Sequence, residues 1–152
     1  MTRQKSLLYA LALAFMVFVV DQGIKYVVEG SMRVGQSIVL VPGFLNITYI
    51  KNDGGAFGIL GGSRTLLLVG SAVAVAVVLW MLLSGKPTRL ATSGCGLILG
   101  GAAGNLLDRL GSGEVTDYVH FSFWYIFNAA DTAIVVGVGL LLLSTLRGPE
   151  KG

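Results

Sequence analysis

Two aspartates carry the chemistry to be expected of this chain: Asp117, in Val115-Thr116-Asp117-Tyr118, and Asp131, in Phe127-Asn128-Ala129-Ala130-Asp131. Asp131 opens a long apolar run, and Asp117 lies shortly before it, at the same end. An ionisable residue at a membrane boundary is costly and marks a functional site by default. Two neighbouring carboxylates cannot readily both ionise, so one keeps a proton while the other can take one from water. Which of them holds the proton is a property of the pair. Asn128 lies three residues before Asp131, on the same helical face, and can orient that carboxylate by hydrogen bonding.

The elements that position these acids belong to a membrane protein. Of 152 residues, 54% are hydrophobic and 12% charged, with a mean hydropathy of +0.78. A soluble domain carries roughly 25% charged residues, so charge is about halved. The length suits one domain, 1–152. Net charge is +3, but the basic residues form no stripe, which argues against nucleic acid as a partner. Cys95 is the lone cysteine, so no intrachain disulfide can form, and within an apolar segment it reads as a small packing residue.

Four apolar stretches, about Ser6–Val28, Thr65–Ser84, Leu90–Leu107 and Phe127–Leu146, are each close to the ~20 residues that span a bilayer as a helix. The first follows Arg3 and Lys5 as a secretory signal would, but no small-residue cleavage site follows, so it reads as a retained helix. With the N-terminus cytoplasmic, the inner segments hold Arg3, Lys5, Lys86, Arg89, Arg147 and Lys151 against Glu150 alone, a net +5. The remainder carries a net −2. The positive-inside rule then puts both termini in the cytoplasm.

Two segments lie outside. In the first, about Glu29–Arg64, Ser37–Val41 and Leu45–Ile50 alternate about Pro42-Gly43, which predicts two strands of a small sheet at the outer surface. The second, about Asp108–Ile126, reads as an outer loop or short helix whose Tyr118, Phe121, Phe123, Trp124 and Tyr125 form an interfacial belt.

The spans also set depth. At 1.5 Å per residue, Asp21 lies roughly 22 Å above Ser6, and Lys25 follows four residues later on the same face. Asn105 and Asp108 close the rising third span, and Asn128 and Asp131 open the descending fourth. Polar groups from three helices therefore converge near the outer surface. Gly96, Gly100 and Gly104 recur every four residues, the spacing that lets helix backbones approach closely. Asp21 with Lys25, and Asp108 with Arg109, read as structural ion pairs. Asn52 with Gly54, Gly55 and Gly58 suits a loop lying close to substrate, or a plain turn.

Other catalytic sets fail. One histidine, His120, cannot supply a His-Glu-x-x-His zinc site, and no Ser stands in a helix-buried Gly-x-Ser context with an activating base. No metal-ligand cluster or phosphate loop is present, so neither metal nor cofactor is expected. A small transporter or channel subunit binding an ion at Asp21, Asp108 and Asp131 is the competing reading. It leaves Asp117, in an outer segment, unexplained. A membrane scaffold is a third reading, and it needs no converging acids.

Four blocks are similar to one family, the lipoprotein (type II) signal peptidases of bacterial inner membranes: Asp21-Gln22-Gly23-Ile24-Lys25; Asn52-Asp53-Gly54-Gly55-Ala56-Phe57-Gly58; Gly104-Asn105-Leu106-Leu107-Asp108-Arg109 running on to Gly113-Glu114-Val115-Thr116-Asp117-Tyr118; and Phe127-Asn128-Ala129-Ala130-Asp131. The resemblance implies an all-α membrane protein of four helices with a small extracytoplasmic sheet. It implies an aspartic endopeptidase that cuts diacylglyceryl-modified prolipoproteins before the lipidated cysteine and is sensitive to globomycin. The catalytic pair falls on Asp117 and Asp131. Supporting residues fall on Asp21, Lys25, Asn52, Gly54, Asn105, Asp108, Arg109, Asn128 and Ala130. The partners implied are prolipoprotein substrates and membrane lipid, with the enzyme a monomer. Tyr118 stands where Phe is common, and Gly23-Ile24 replaces a more polar pair.

Overall fold

The computed structural model describes residues 2–54, 64–85 and 87–147. Gly55, Ala56, Phe57 and Gly58 of the second motif, Lys86 of the inner connection, and Glu150 and Lys151 lie outside the described residues. The element order is α1 (Arg3–Ser31), β1 (Ser37–Val41), β2 (Leu45–Asn52), α2 (Arg64–Ser84), α3 (Arg89–Gly111), β3 (Val115–Phe121) and α4 (Ala129–Arg147).

Helices α1, α3 and α4 are each long and apolar enough to cross a membrane, and Leu68–Ser84 of α2 is a shorter apolar run. Thr2 and Thr88 cap α1 and α3, each hydroxyl accepting the backbone N–H three residues on. Burial separates the roles of the helices. In α3, 67% of the apolar window is buried, against 11% in α1 and 17% in α4. Helix α3 is therefore the axis around which the others pack, and side chains such as Phe15, Trp80 and Val135 are left facing outward.

Glycine makes α3 fit that position. A Cβ on Gly96 would lie 2.8 Å from the Ala10 carbonyl, and one on Gly100 2.5 Å from that of Ala14. On the other flank, a Cβ on Gly94 would lie 2.7 Å from the Gly137 carbonyl of α4. Any side chain at these positions would push the helices apart. Cys95, fully buried, packs with Ala10, Val78, Leu82, Ile98 and Leu99.

The sheet has three antiparallel strands in the order β1-β2-β3. Gly43, at φ 71°, takes the left-handed conformation of the turn between β1 and β2. The second outer segment differs from the loop or short helix expected of it. Val115–Phe121 is a strand pairing with β2, with Ile50 opposite Asp117, Lys51 opposite Thr116 and Asn52 opposite Val115. Tyr49 and Tyr118 pack on Val28 and Met32 at the top of α1, which seats the sheet on the bundle. Phe44, Phe121, Phe123 and Phe127 gather at the far end of the β2–β3 ladder, with ring centroids 5.3–6.0 Å apart. His120 belongs to the sheet, its Nδ1 3.0 Å from the Thr48 hydroxyl.

Candidate active site

The polar residues of three helices and two strands meet at one end of the bundle, in two linked clusters. The first surrounds Lys25. Its ammonium lies 2.8 Å from Asp21 Oδ2, one helical turn back, and 2.7 Å from Asp108 Oδ2 of α3. Its third donor reaches Asn105 Oδ1 at 3.0 Å. An ammonium has three protons and no acceptor, so Lys25 is saturated. The charge opposite Asp108 is thus Lys25, on another helix, where the sequence suggested the adjacent Arg109. Arg109 instead reaches toward α2, with Nη1 3.5 Å from Ser71 Oγ. Asp21 also accepts the Ala130 backbone N–H at 2.9 Å. Ala130 is small because α3 is close, and a Cβ on Gly101 would strike its carbonyl. Gly104 faces Asp21 in the same way, and a Cβ there would strike the carboxylate.

The second cluster holds Asp117 and Asp131. Asn128 is the residue before α4 and caps it. Its Oδ1 accepts the Asp131 N–H at 2.9 Å, while Asp131 Oδ2 accepts the Asn128 N–H at 3.3 Å. This reciprocal capping pair, with Asp at the third helical position, locks the Asp131 side chain against its own helix start. The negative charge there also suits the helix dipole. Asn128 Nδ2 donates to Asp117 Oδ1 at 2.7 Å, so one side-chain amide links the Asp117 carboxylate to the Asp131 backbone. Asn105 Nδ2 donates to Asp131 Oδ1 at 2.8 Å, and Asn52 Nδ2 to Asp117 Oδ2 at 2.8 Å.

The direction of each amide follows from its neighbours. Asn105 turns its oxygen to the Lys25 ammonium, which leaves its NH₂ for Asp131. Asn52 turns its oxygen to the Gly54 N–H at 2.8 Å, leaving its NH₂ for Asp117. Gly54 sits at φ +86°, a conformation open to glycine and strained for other residues. Lys25 therefore reaches the acid pair through oriented dipoles rather than by contact.

Asp117 and Asn128 are almost completely buried. Burial pushes the Asp117 carboxyl up to about 6; the hydrogen bond from Asn52 opposes this, the Asp131 charge adds to it, and Asn128 and Lys25 oppose it further. Tyr118, pushed by burial up to about 12, keeps its proton, and its oxygen accepts the Ala129 N–H at 3.1 Å. Asp117 and Asp131 both line a cleft of about 790 Å³, with Ile50, Asn52, Tyr125 and Phe127 among its walls. Beside it, Trp124, Phe127, Thr132, Val135 and Val136 form an apolar pocket of about 330 Å³ that also touches Asp131.

Sequence reasoning missed Gln22, whose amide donates to Asp108 Oδ1 at 3.0 Å and to the Gly104 carbonyl at 3.3 Å. It also missed Thr116, whose carbonyl accepts from Asn128 at 3.3 Å. Their adjacency to Asp21 and Asp117 was the only available signal.

The fold is an apolar helical bundle that carries two neighbouring acids, one of them buried, at one end. Two solved structures described as a bacterial membrane enzyme, determined by the in meso method at 2.3 and 1.9 Å, superpose with TM-scores of 0.83 and 0.84, each at 29% identity. They cover 95% and 93% of this chain, and 93% and 94% of theirs. The family model described as "Signal peptidase (SPase) II" matches residues 13–147. The chain belongs to the signal peptidase II family, whose members are peptidases, and its apolar helices mark it as a multi-pass membrane protein. Relatives named lipoprotein signal peptidase include that of Halothermothrix orenii, 39% identical over 90% of this chain and 94% of its own. That of Halalkalibacterium halodurans is 41% identical over 91% and 92%, and that of Lactobacillus gasseri 37% identical over 99% of both.

Proposed function

We propose that residues 1–152 form one integral membrane peptidase unit that removes the signal peptide from diacylglyceryl-modified prolipoproteins, cutting before the lipidated cysteine, with Asp117 and Asp131 as an aspartic dyad. The observation that supports this reading is that Asp117 and Asp131 line one cleft, with the Asn128 amide tying the Asp117 carboxylate to the backbone of Asp131. The raised Asp117 value makes this carboxyl the natural proton carrier. The ionised partner takes a proton from a water bound between them, and the protonated one polarises the scissile carbonyl. Collapse of the tetrahedral intermediate then passes a proton to the leaving nitrogen.

The supporting set acts by holding geometry: Asn52, Asn105 and Asn128 orient the carboxylates, while Asp21, Lys25, Asp108, Ala130 and the Gly54 turn fix those amides. Arg109 ties α3 to α2. In this reading four helices span the bacterial cytoplasmic membrane, both termini are cytoplasmic, and the dyad faces the outer surface, as the net +5 of the inner segments supports. The apolar pocket at Asp131 opens beside the cleft and suits an acyl chain that stays in lipid while the peptide reaches the acids.

Purified enzyme acting on a diacylglyceryl precursor and its unmodified form, in one detergent and followed by gel shift, tests this. Each buried methylene contributes ~0.8 kcal/mol, so the lipidated form should be cut at least tenfold faster at low substrate. Equal rates would make the chain a general peptidase.

A further inference from the structure

The β2–β3 ladder has two faces with different occupations. Side chains alternate along a strand, so Asp117 and Asn52 share one face while Thr116 and Lys51, directly paired across the strands, share the other. On the first face lies the dyad. On the second, Lys51, which also borders the cleft, donates from Nζ to Thr116 Oγ1 at 2.8 Å and lies 2.7 Å from Glu29 Oε1, near the end of α1. The Thr116 hydroxyl donates to that same Glu29 oxygen. One carboxylate oxygen thus grips the residue before Asp117 and the residue before Asn52.

The ladder needs such a grip. Gly43 turns β1 into β2, whose pairing shifts register between Val39 and Val41, whereas β3 arrives from α3 and pairs with β2 through a further register shift between Ile47 and Ile50. The end carrying Asn52 and Asp117 lies beyond that shift and inherits no register from the turn. A slip of one residue would rotate Asp117 to the Glu29 side and take it out of the cleft.

We infer that Glu29, Lys51 and Thr116 form a positioning clamp that sets the register of the β2–β3 end and so aims Asp117 at Asp131. The inference rests on the proposed dyad chemistry. Lys51 and Glu29 are partly exposed, and an ion pair of this kind adds little to stability. Its contribution is therefore to geometry, which catalysis feels steeply: a displacement of about 1 Å at a reacting group can cost on the order of a hundredfold in rate.

The charge swap provides the test. Glu29→Lys and Lys51→Glu alone each place like charges on the clamp. Each should lower kcat on the lipidated precursor about ten- to a hundredfold, with KM within about twofold and melting temperature within about three degrees of wild type. Together they rebuild the pair with reversed polarity, which Thr116 tolerates because its hydroxyl both donates and accepts, and kcat should recover at least fivefold. Thr116→Val, which leaves the cleft wall and the ion pair in place, should lower kcat by about tenfold. Hydrogen exchange at the 115–121 amides gives a readout independent of turnover: faster in each single variant, near wild type in the swap. A swap no more active than Lys51→Glu, or a Thr116→Val enzyme with full kcat, would overturn the clamp and leave Lys51 acting on substrate directly. If the wild type itself failed to cut the precursor, the dyad proposal would fall, and unchanged exchange in the single variants would still overturn the clamp.

Discussion

The two clusters each hold a pair of aspartates, and each pair is gripped in a different way. Around Lys25, Asp21 and Asp108 meet a full ammonium at 2.7–2.8 Å. Around Asn128, Asp117 and Asp131 are held by neutral amides and backbone N–H groups at 2.7–3.3 Å. A cation fixes the charge state of its partners along with their position. An amide fixes position and leaves the proton free to come and go. On the proposed function the first cluster is a strut and the second a reagent, and the Asn105 amide joins them by accepting from Lys25 while donating to Asp131. The same contrast argues against the ion-binding reading, because the Lys25 ammonium already occupies the place between Asp21 and Asp108 that a bound cation would take.

The largest effects are expected at Asp117 and Asp131 themselves. Asp117→Asn and Asp131→Asn should each lower turnover on the lipidated precursor by at least about a thousandfold, because members of a catalytic unit fail together. Their melting temperatures should stay within several degrees of wild type. Near-normal turnover by either purified variant would remove it from the chemistry.

Lys25→Met should show the reverse profile, with loss of folding before loss of chemistry. Removing one partner of a buried ion pair costs about 3–5 kcal/mol, and here two carboxylates would lose their cation at once. Thermal unfolding in detergent should drop by ten degrees or more. A variant as stable as wild type would mean that the first cluster is not a strut.

Asn128→Ala sharpens the boundary between the two clusters. It deletes the α4 cap, at about 1 kcal/mol, and removes one of the two amides that hold Asp117, leaving both acids unaltered. Turnover should fall about ten- to a hundredfold for a loss of only a few degrees in melting temperature. If turnover fell no further than that small loss of stability, the amide would be a cap alone.

Much of this arrangement was legible in the sequence, where a local rule applied. Asp21 and Lys25 are one turn apart, Asn128 and Asp131 bracket a helix start, and the Gly96, Gly100 and Gly104 spacing marks a close helix contact. Long-range partners were not legible. Asp108 meets Lys25 rather than Arg109 because the rotation of α3 against α1 selects its neighbour, and no adjacency in the chain encodes that rotation. Strand β3 was hidden because its Thr, Asp, Tyr and His residues mask a period-2 pattern, since both of its faces are packed, one on α1 and one on the site. Its partner strand is also more than sixty residues away.

Side-chain amides hold the Asp117 carboxyl at both oxygens, and on the proposed function its proton remains exchangeable near neutrality. Asp117 has its folded value raised from 3.8 to about 6. Proton binding therefore favours the folded state, a contribution fully present below about pH 4 and lost as pH rises through about 6, worth about 2–3 kcal/mol at 1.36 kcal/mol per unit. Infrared difference spectra of the wild type against Asp117→Asn, recorded across this range in detergent, isolate the protonated carboxyl band of this one residue. The band should disappear with a midpoint near pH 6. A midpoint at or below pH 4 would mean that Asp117 is held as firmly ionised as any salt-bridged carboxylate, and the distinction between strut and reagent would fail.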